Sequence, residues 1–191
     1  MKNQTHRRKS MKLLICSDIH GDADSAAALI QRFEKEAADK IIILGDIIYH
    51  GPRNDLPNGY APKKVISALS ALSEKIIAVR GNCDTEVDQM VLPFPILSDY
   101  SYVLVDGLTF LLTHGHKLSP ENPPPMASGT ILLGGHTHIP KIEDISNGCI
   151  YVNPGSVSLP KENNPKTYAV YENRNLTIKK LDGTIFAKRD F

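Results

Sequence analysis

The feature that most constrains this sequence is a series of short apolar runs, each ending in side chains able to bind a metal ion. Such runs are predicted to be buried strands. Five runs end in this way, and their polar ends are Asp18 with His20, Asp46, Asn82, His114, and His136 with His138. Because open α/β sheets bind ligands at the carboxyl ends of their strands, we expect these side chains to converge on one site.

The first half of the chain predicts alternating strands and helices. Predicted strands at 12–17 and 41–44 flank a segment in which apolar residues recur at helical spacing from Ala26 to Ala37. This order favours a βαβ unit with parallel strands. After a loop rich in Gly, Pro and Asn, a second helix at 63–73 and a third strand at 76–79 are predicted.

The second half predicts mostly β-structure. Asp106-Gly107 lies between apolar segments and is a hairpin signal, and Asn147-Gly148 and Asp182-Gly183 mark further hairpins. Residues 130–133 form another predicted strand. Together the halves predict an α/β fold, a sandwich of two sheets with helices outside, in a single domain over residues 11–191.

Composition excludes some classes of partner. The 22 basic and 21 acidic side chains give a net charge of +1, which offers no electrostatic case for a nucleic-acid or anionic-membrane partner. A small phosphorylated substrate stays compatible with this balance, because a metal site supplies its own positive charge.

The sequence also predicts a location. Three cysteines without paired spacing do not indicate a disulfide framework and fit a reducing compartment. No apolar run approaches the roughly 20 residues that span a bilayer. Residues 1–10 are basic and polar, lack the apolar core of a secretory signal, and are predicted to be a disordered tail. We therefore expect a cytoplasmic protein.

The types of donor indicate the class of metal and of reaction. In extended segments, Asp18 and His20 would share one side, as would His136 and His138. Carboxylate, imidazole and amide ligands suit Mn, Fe, Zn, Co or Ni rather than a thiolate zinc site. Seven donors exceed the needs of one ion, whereas two ions sharing a carboxylate fit. Two-metal sites are typical of hydrolases that cleave phosphate esters.

These motifs resemble those of the calcineurin-like metallophosphoesterase superfamily, and within it those of small bacterial phosphodiesterases of the YfcE type. Besides the metal motifs, the resemblance rests on His50-Gly51-Pro52-Arg53-Asn54, Gly81-Asn82-Cys83-Asp84 and Asn153-Pro154-Gly155-Ser156. It extends from Met11 to about Ala187 and implies a four-layer sandwich of two mixed sheets flanked by helices.

The resemblance also implies roles for the seven donors. Asp18, His20 and His138 would bind one metal ion, and Asp46 would bridge both. The second ion would be bound by Asn82, His114 and His136. Mn²⁺ is the first choice for both ions, with Ni²⁺, Zn²⁺, Fe²⁺ and Co²⁺ as alternatives.

Cys83 departs from the broad superfamily, in which many members have histidine after the asparagine. A thiol with an ordinary pKa near 8.5 donates a proton at neutral pH less readily than imidazolium. Cys83 is thus either a weak catalytic group or a passive spacer. His116 and His50 are alternative proton donors, and His116 could instead hydrogen-bond a metal ligand.

Arg53 and His50 are candidates for substrate binding. Arg53 either binds a phosphate oxygen, which guanidinium geometry suits, or stabilises its loop. The Asn153-Pro154-Gly155-Ser156 segment is expected to form a turn that supports the metal loops.

The sequence therefore predicts a phosphoric diester hydrolase that attacks small diesters with a hydroxide activated by two metal ions. A phosphomonoesterase or nucleotidase using the same site is one alternative. A second alternative is a non-catalytic scaffold with this fold, like the retromer subunit of the superfamily. The presence of all seven donors favours an enzyme over such a scaffold. A homo-oligomer stays open.

Overall fold

The structure, a computed structural model, describes residues 10–191, whose strands form two mixed sheets. The first consists of β1 (Leu13–Cys16), β2 (Lys40–Ile43), β3 (Ile76–Ala78), β9 (Thr167–Glu172), β10 (Asn175–Lys180) and β11 (Ile185–Asp190), in the order β11-β10-β9-β1-β2-β3. The second consists of β4 (Tyr100–Val105), β5 (Leu108–Thr113), β6 (Ile131–Leu133), β7 (Lys141–Asp144) and β8 (Ile150–Asn153), in the order β4-β5-β6-β8-β7. The predicted α/β fold with two mixed sheets is confirmed.

The helices α1 (Ala23–Lys35) and α2 (Pro62–Ser70) pack on the outer face of the six-stranded sheet. Alternate residues of β1 divide between the two faces. Leu14 and Cys16 contact the helix layer, while Leu13 and Ile15 lie in the core between the sheets. On the outer face of the five-stranded sheet, Met126 from a loop packs against buried side chains.

The two halves of the chain do not form separate layers, because the C-terminal strands complete the first sheet. β1 pairs in parallel with β2 on one edge and antiparallel with β9 on the other. All four residues of β1 are fully buried, so its backbone groups need partners on both edges.

Helix α1 ends earlier than the apolar spacing predicted. Ala37, which was assigned to the helix, lies beyond its end with φ of 50°. Its N–H bonds the carbonyl of Glu34, and Ala38 N–H bonds the carbonyl of Phe33. This pair of bonds is a Schellman ending, which requires a left-handed residue and here uses alanine instead of glycine.

A third helix, α3 (Glu86–Val91), was not predicted. It begins with a capping box in which Asp88 accepts hydrogen bonds from the N–H and hydroxyl of Thr85. The predicted second helix ends at Ser70, and a short 3-10 turn (Ser73–Lys75) follows. None of the helices within residues 10–191 is long and apolar enough to cross a membrane. The predicted disordered tail falls, apart from Ser10, outside the described residues.

Candidate metal centre

The seven predicted donors meet where the carboxyl ends of strands from both sheets approach each other. Past the ends of β1 and β2 the backbones stay paired, with Asp18 N–H bonded to the Gly45 carbonyl at 3.1 Å and His20 N–H to the Asp46 carbonyl at 2.9 Å. The five-stranded sheet joins them through the N–H of His136, which donates to Asp18 Oδ2 at 3.0 Å. The parallel strands thus bring residues distant in sequence to one edge.

The backbone at these positions is not extended, as the sequence analysis assumed. Five of the seven donors lie in the left-handed region, which non-glycine residues rarely adopt. They are Asp18 (φ 57°), His20 (50°), Asp46 (55°), His136 (67°) and His138 (61°). The alternation of an extended strand is therefore the wrong reason for their convergence, which depends on sharp turns. Clustered left-handed residues are typical of functional sites.

Two glycines beside the donors are required by close packing. A Cβ on Gly81 would lie 2.0 Å from Asp46 Oδ1, and one on Gly135 would lie 1.9 Å from Ser17 Oγ. These glycines let the strand ends of the site contact each other directly.

Two carboxylates face the imidazoles across the centre of the site. Asp18 Oδ1 lies 3.2 Å from His138 Nε2 and 3.6 Å from His20 Nε2. Asp46 Oδ2 lies 3.4 Å from His114 Nε2 and 3.7 Å from His20 Nε2. Within residues 10–191, the buried Oδ1 of Asp18 accepts no well-directed hydrogen bond. A divalent cation between these atoms would satisfy it, so the donor set fits a metal.

Three imidazoles are oriented by backbone carbonyls. A carbonyl only accepts hydrogen bonds, so each neutral ring carries its proton on Nδ1 and turns the Nε2 lone pair towards the centre. The partners of Nδ1 are Tyr49 for His20 (2.8 Å), Leu44 for His114 (2.7 Å) and Leu159 for His138 (2.5 Å). These hydrogen bonds thus leave the three Nε2 atoms oriented for metal binding.

The other two donors border His114. Asn82 Oδ1 lies 3.1 Å from His114 Nε2, and the ring centroid of His136 lies 5.1 Å from that of His114. Three overlapping trios each place their ligand atoms within 4.8 Å of one another: Asp18 with His20 and His138, Asp18 with Asp46 and His114, and His20 with Asp46 and Cys83. The centre therefore offers candidate ligands for a metal ion.

The electrostatics of the centre favour added positive charge. Burial opposes protonation of His114, but the hydrogen bond to Asp46 and the charges of Asp18 and Asp46 raise its pKa to about 9. Burial opposes ionisation of Asp18, but the adjacent imidazoles of His138 and His20 hold its pKa well below its usual value. A bound divalent cation would supply the positive charge that protonated histidines otherwise provide.

A small pocket opens over this centre. Its lining includes the predicted Arg53 and Cys83 together with Lys161, which the sequence analysis missed. Lys161 could have been found from its position in the sequence, because it follows the Asn153-Pro154-Gly155-Ser156 segment, which was expected to support the metal loops, by only a few residues. Burial and the charge of Asp46 raise the pKa of the Cys83 thiol, which keeps it protonated.

His50 and His116 do not line the pocket. His50 lies between Tyr49 and Tyr60, with ring centroids 4.7 and 5.4 Å away. The His116 ring lies 5.4 Å from that of His114, and its Nδ1 is buried without a hydrogen-bond partner in the described part of the chain. Burial and the neighbouring histidines His114 and His136 lower the pKa of His116 to about 4, so it is neutral at neutral pH.

The segment from Asn153 to Ser156 supports the metal loops, as expected. Asn153 Nδ2 donates to the Gly135 carbonyl at 2.8 Å. Ser156 Oγ donates to the Asp18 carbonyl at 2.8 Å and accepts the N–H groups of Ser158 and Leu159. These contacts tie the turns at Asp18 and His136 together.

Ser156→Ala is expected to destabilise the protein by about 1–3 kcal/mol, because the buried N–H of Ser158 and the partly buried N–H of Leu159 lose their acceptor. The matched control is Ser158→Ala, which removes only a second donor to the Asp18 carbonyl, 2.7 Å away. Chemical denaturation of the metal-free proteins measures the loss in free energy of unfolding for both variants. Equal losses in the two variants would contradict a special supporting role for Ser156.

Asp84 is a second residue to which the sequence analysis gave no role. Its buried carboxylate accepts three backbone N–H groups, from Gly81 at 2.7 Å, Asp46 at 2.8 Å and Ile47 at 2.9 Å. Burial and the charge of Asp46 raise its pKa to about 6, although these hydrogen bonds oppose the rise. Asp84 holds the turns that carry Asp46 and Asn82 against each other.

Comparisons with known proteins agree with this architecture. Phosphodiesterase YfcE of Escherichia coli strain K12 is 45% identical over 179 residues, which is 93% of this chain and 97% of that protein. The solved structure of YfcE, a phosphoesterase from E. coli, superposes with a TM-score of 0.91 and 45% identity, covering 94% of this chain and 99% of the other.

A more distant relative is phosphodiesterase MJ0936 of Methanocaldococcus jannaschii, which is 28% identical over 153 residues, 76% of this chain and 83% of that protein. The model of the calcineurin-like phosphoesterase superfamily domain matches residues 11–175. With its donors at the strand ends that this fold brings together, the chain belongs to the calcineurin-like phosphoesterase superfamily.

Proposed function

We propose that this protein is a metal-dependent phosphodiesterase that hydrolyses small phosphodiesters. The observation that carries the proposal is the convergence of seven donors from both sheets, with three imidazoles held so that Nε2 faces the centre. Its similarity to a protein named phosphodiesterase over 93% of the chain supports the same reaction class.

We propose that the centre would hold two divalent ions. Asp18, His20 and His138 would hold one ion, and the close approach of Asp18 Oδ1 to both imidazoles supports this grouping. Asp46 would contribute to both ions, since its Oδ2 faces His114 as well as His20. Asn82, His114 and His136 would hold the second ion. Mn²⁺ is the first choice, and this mixture of O and N donors also suits Ni²⁺, Zn²⁺, Fe²⁺ or Co²⁺.

The ions would supply an activated hydroxide and neutralise charge on the phosphate. The chain's own residues fix the rest of the reaction. The imidazoles that are hydrogen-bonded to backbone carbonyls keep the centre rigid. Arg53, at the pocket wall, donates to a phosphate oxygen of the substrate. The products are a phosphomonoester and an alcohol.

Protonation of the leaving group is the weak step in this site. The pKa of the Cys83 thiol is raised by burial, and His116 is neutral because its pKa is about 4. Neither group donates a proton readily at neutral pH. We therefore expect the enzyme to favour diesters whose leaving alcohol is acidic or is protonated by water.

The same site could serve a phosphomonoesterase or nucleotidase, and the fold could serve a scaffold. The relatives named phosphodiesterase favour the diester over the first alternative. The buried, oriented donors favour an enzyme over the second, because a scaffold needs no unsatisfied carboxylate at its centre. The net charge of +1 supports a small substrate over a long nucleic acid. We further propose a single domain over residues 11–191 and a cytoplasmic location.

Metal-stripped protein tests the proposal with a chromogenic phosphodiester and its monoester analogue, assayed with added Mn²⁺, Ni²⁺, Zn²⁺ or Mg²⁺. Diester turnover that returns with metal is expected, at a rate well above that of the monoester. Monoester turnover alone would favour the phosphomonoesterase. No turnover with any metal, despite two bound ions per chain, would favour the scaffold.

A further inference from the structure

Two cationic side chains without partners stand over the candidate metal centre. Arg53 and Lys161 are both exposed and line the same pocket, Arg53 from the loop after β2 and Lys161 from the loop before β9. Within residues 10–191, neither side chain forms an ion pair or a side-chain hydrogen bond. Both charges are therefore available to a ligand in the pocket.

The backbone at Lys161 is held in place beside a metal ligand. Its N–H donates to the His138 carbonyl at 3.4 Å, and its carbonyl accepts the Asn164 N–H at 3.1 Å and Asn164 Nδ2 at 2.9 Å. The turn from Lys161 to Asn164 has its two central residues, Glu162 and Asn163, in the left-handed region, with φ of 55° and 58°. This is the pattern of a tight type I′ turn, which fixes the start of the lysine side chain.

Arg53 lines the pocket together with candidate metal ligands, among them Asn82 and His136. Asn54 Nδ2 donates to the His50 carbonyl at 2.8 Å and closes the loop that carries Arg53. The guanidinium therefore shares one pocket with groups of the metal centre and can contact a ligand bound there.

The other residues of the lining leave these cations without a counter-charge. Among the lining residues within the described range 10–191, Asp46 is the one carboxylate, and the proposed metal assignment already uses it. In the same range, the lining contains no Phe, Tyr or Trp on which a nucleobase could stack. Recognition in this pocket therefore depends on charge and hydrogen bonding more than on an aromatic ring.

We propose that Lys161, together with Arg53, selects phosphodiesters that carry a second anionic group, a carboxylate or phosphate, on the substituent that does not leave. A simple diester has one negative charge, which the metal centre and Arg53 satisfy. Lys161 then has an ionic partner only when the substrate brings a further anion. This inference rests on the proposed function and assigns Lys161 as a substrate-binding residue.

The test uses three p-nitrophenyl phosphodiesters with the same leaving group, whose other arm ends in a carboxylate, a hydroxyl or a trimethylammonium group. The wild-type protein is expected to show kcat/KM about 5- to 20-fold higher for the carboxylate than for the trimethylammonium substrate, mainly through KM. High salt should lower this ratio of the two kcat/KM values, because it screens exposed charges.

Lys161→Gln is expected to reduce this ratio to about 2-fold, and Lys161→Arg to restore most of it. The matched control is Lys188→Gln, an exposed lysine on β11. Bound metal per chain is measured for each variant and is expected to stay the same.

A wild-type ratio near one, or an unchanged ratio in Lys161→Gln, would overturn the inference while leaving the diesterase intact. Absence of turnover on all three diesters would instead count against the proposed function.

Discussion

Asp46→Asn is expected to lower metal-restored diester hydrolysis by about 10²- to 10³-fold. The amide is nearly isosteric, and its oxygen can still accept the Cys83 N–H that Asp46 Oδ1 accepts at 2.8 Å. It lacks the negative charge that Asp46, as the proposed shared ligand, would provide to the metal centre. The loss should therefore come from the metal centre rather than from unfolding, and both kcat/KM and the number of bound ions measure it.

The control for this substitution is Asp144→Asn, which changes an exposed carboxylate paired with Arg189 at the far edge of the five-stranded sheet. It should leave turnover and metal content unchanged. Asp46→Asn protein that retained full turnover with two ions per chain would show that Asp46 is not the shared ligand. A large drop in its thermal midpoint would instead assign Asp46 a mainly structural role.

The regular parts of the fold were predictable because hydrophobic period and turn chemistry are local. The hairpin predicted at Asp106-Gly107 is present and joins the strands Tyr100–Val105 and Leu108–Thr113. The pairing of β1 with β9 was not predictable in this way, because the two strands are more than a hundred residues apart. β1 needs a second neighbouring strand because it is fully buried, and its burial is known only once the core is assembled.

The identities of the candidate ligands could be chosen from the sequence, whereas their geometry could not. Donor residues at strand ends are visible in the chain, and so is the choice of residue types. The left-handed turns at Asp18 and His136 are not visible, because neither residue type demands that conformation. Lys161 and Asp84 were missed for a related reason, since their roles depend on contacts across loops.

Asp84→Ala is expected to destabilise the metal-free protein by about 3–5 kcal/mol. The substitution leaves three backbone N–H groups without their acceptor, those of Gly81, Asp46 and Ile47. Each unpaired buried donor costs about 1–3 kcal/mol, and partial relaxation or entry of water makes the total smaller than their sum. For a chain of this size the thermal midpoint should fall by about 6–20 °C.

Asp84→Asn separates the hydrogen bonds from the charge. Its amide oxygen can replace Oδ2, which accepts the N–H groups of Gly81 and Asp46, but its NH₂ group would face the N–H of Ile47. The expected order of stability is wild type, then Asn, then Ala. Differential scanning calorimetry of metal-free proteins, with the exposed Asp144→Ala as control, measures this order.

An Ala variant of Asp84 as stable as the wild type would mean that the turns at Asp46 and Asn82 hold their shape without this carboxylate. The expected result places Asp84 as the residue that joins the ends of β2 and β3. The donors Asp46 and Asn82 extend from those turns, so the same substitution should also weaken metal binding even where the protein stays folded. Metal titration of both variants, Asp84→Ala and Asp84→Asn, below their unfolding temperatures tests that link directly, because folding is then no longer limiting.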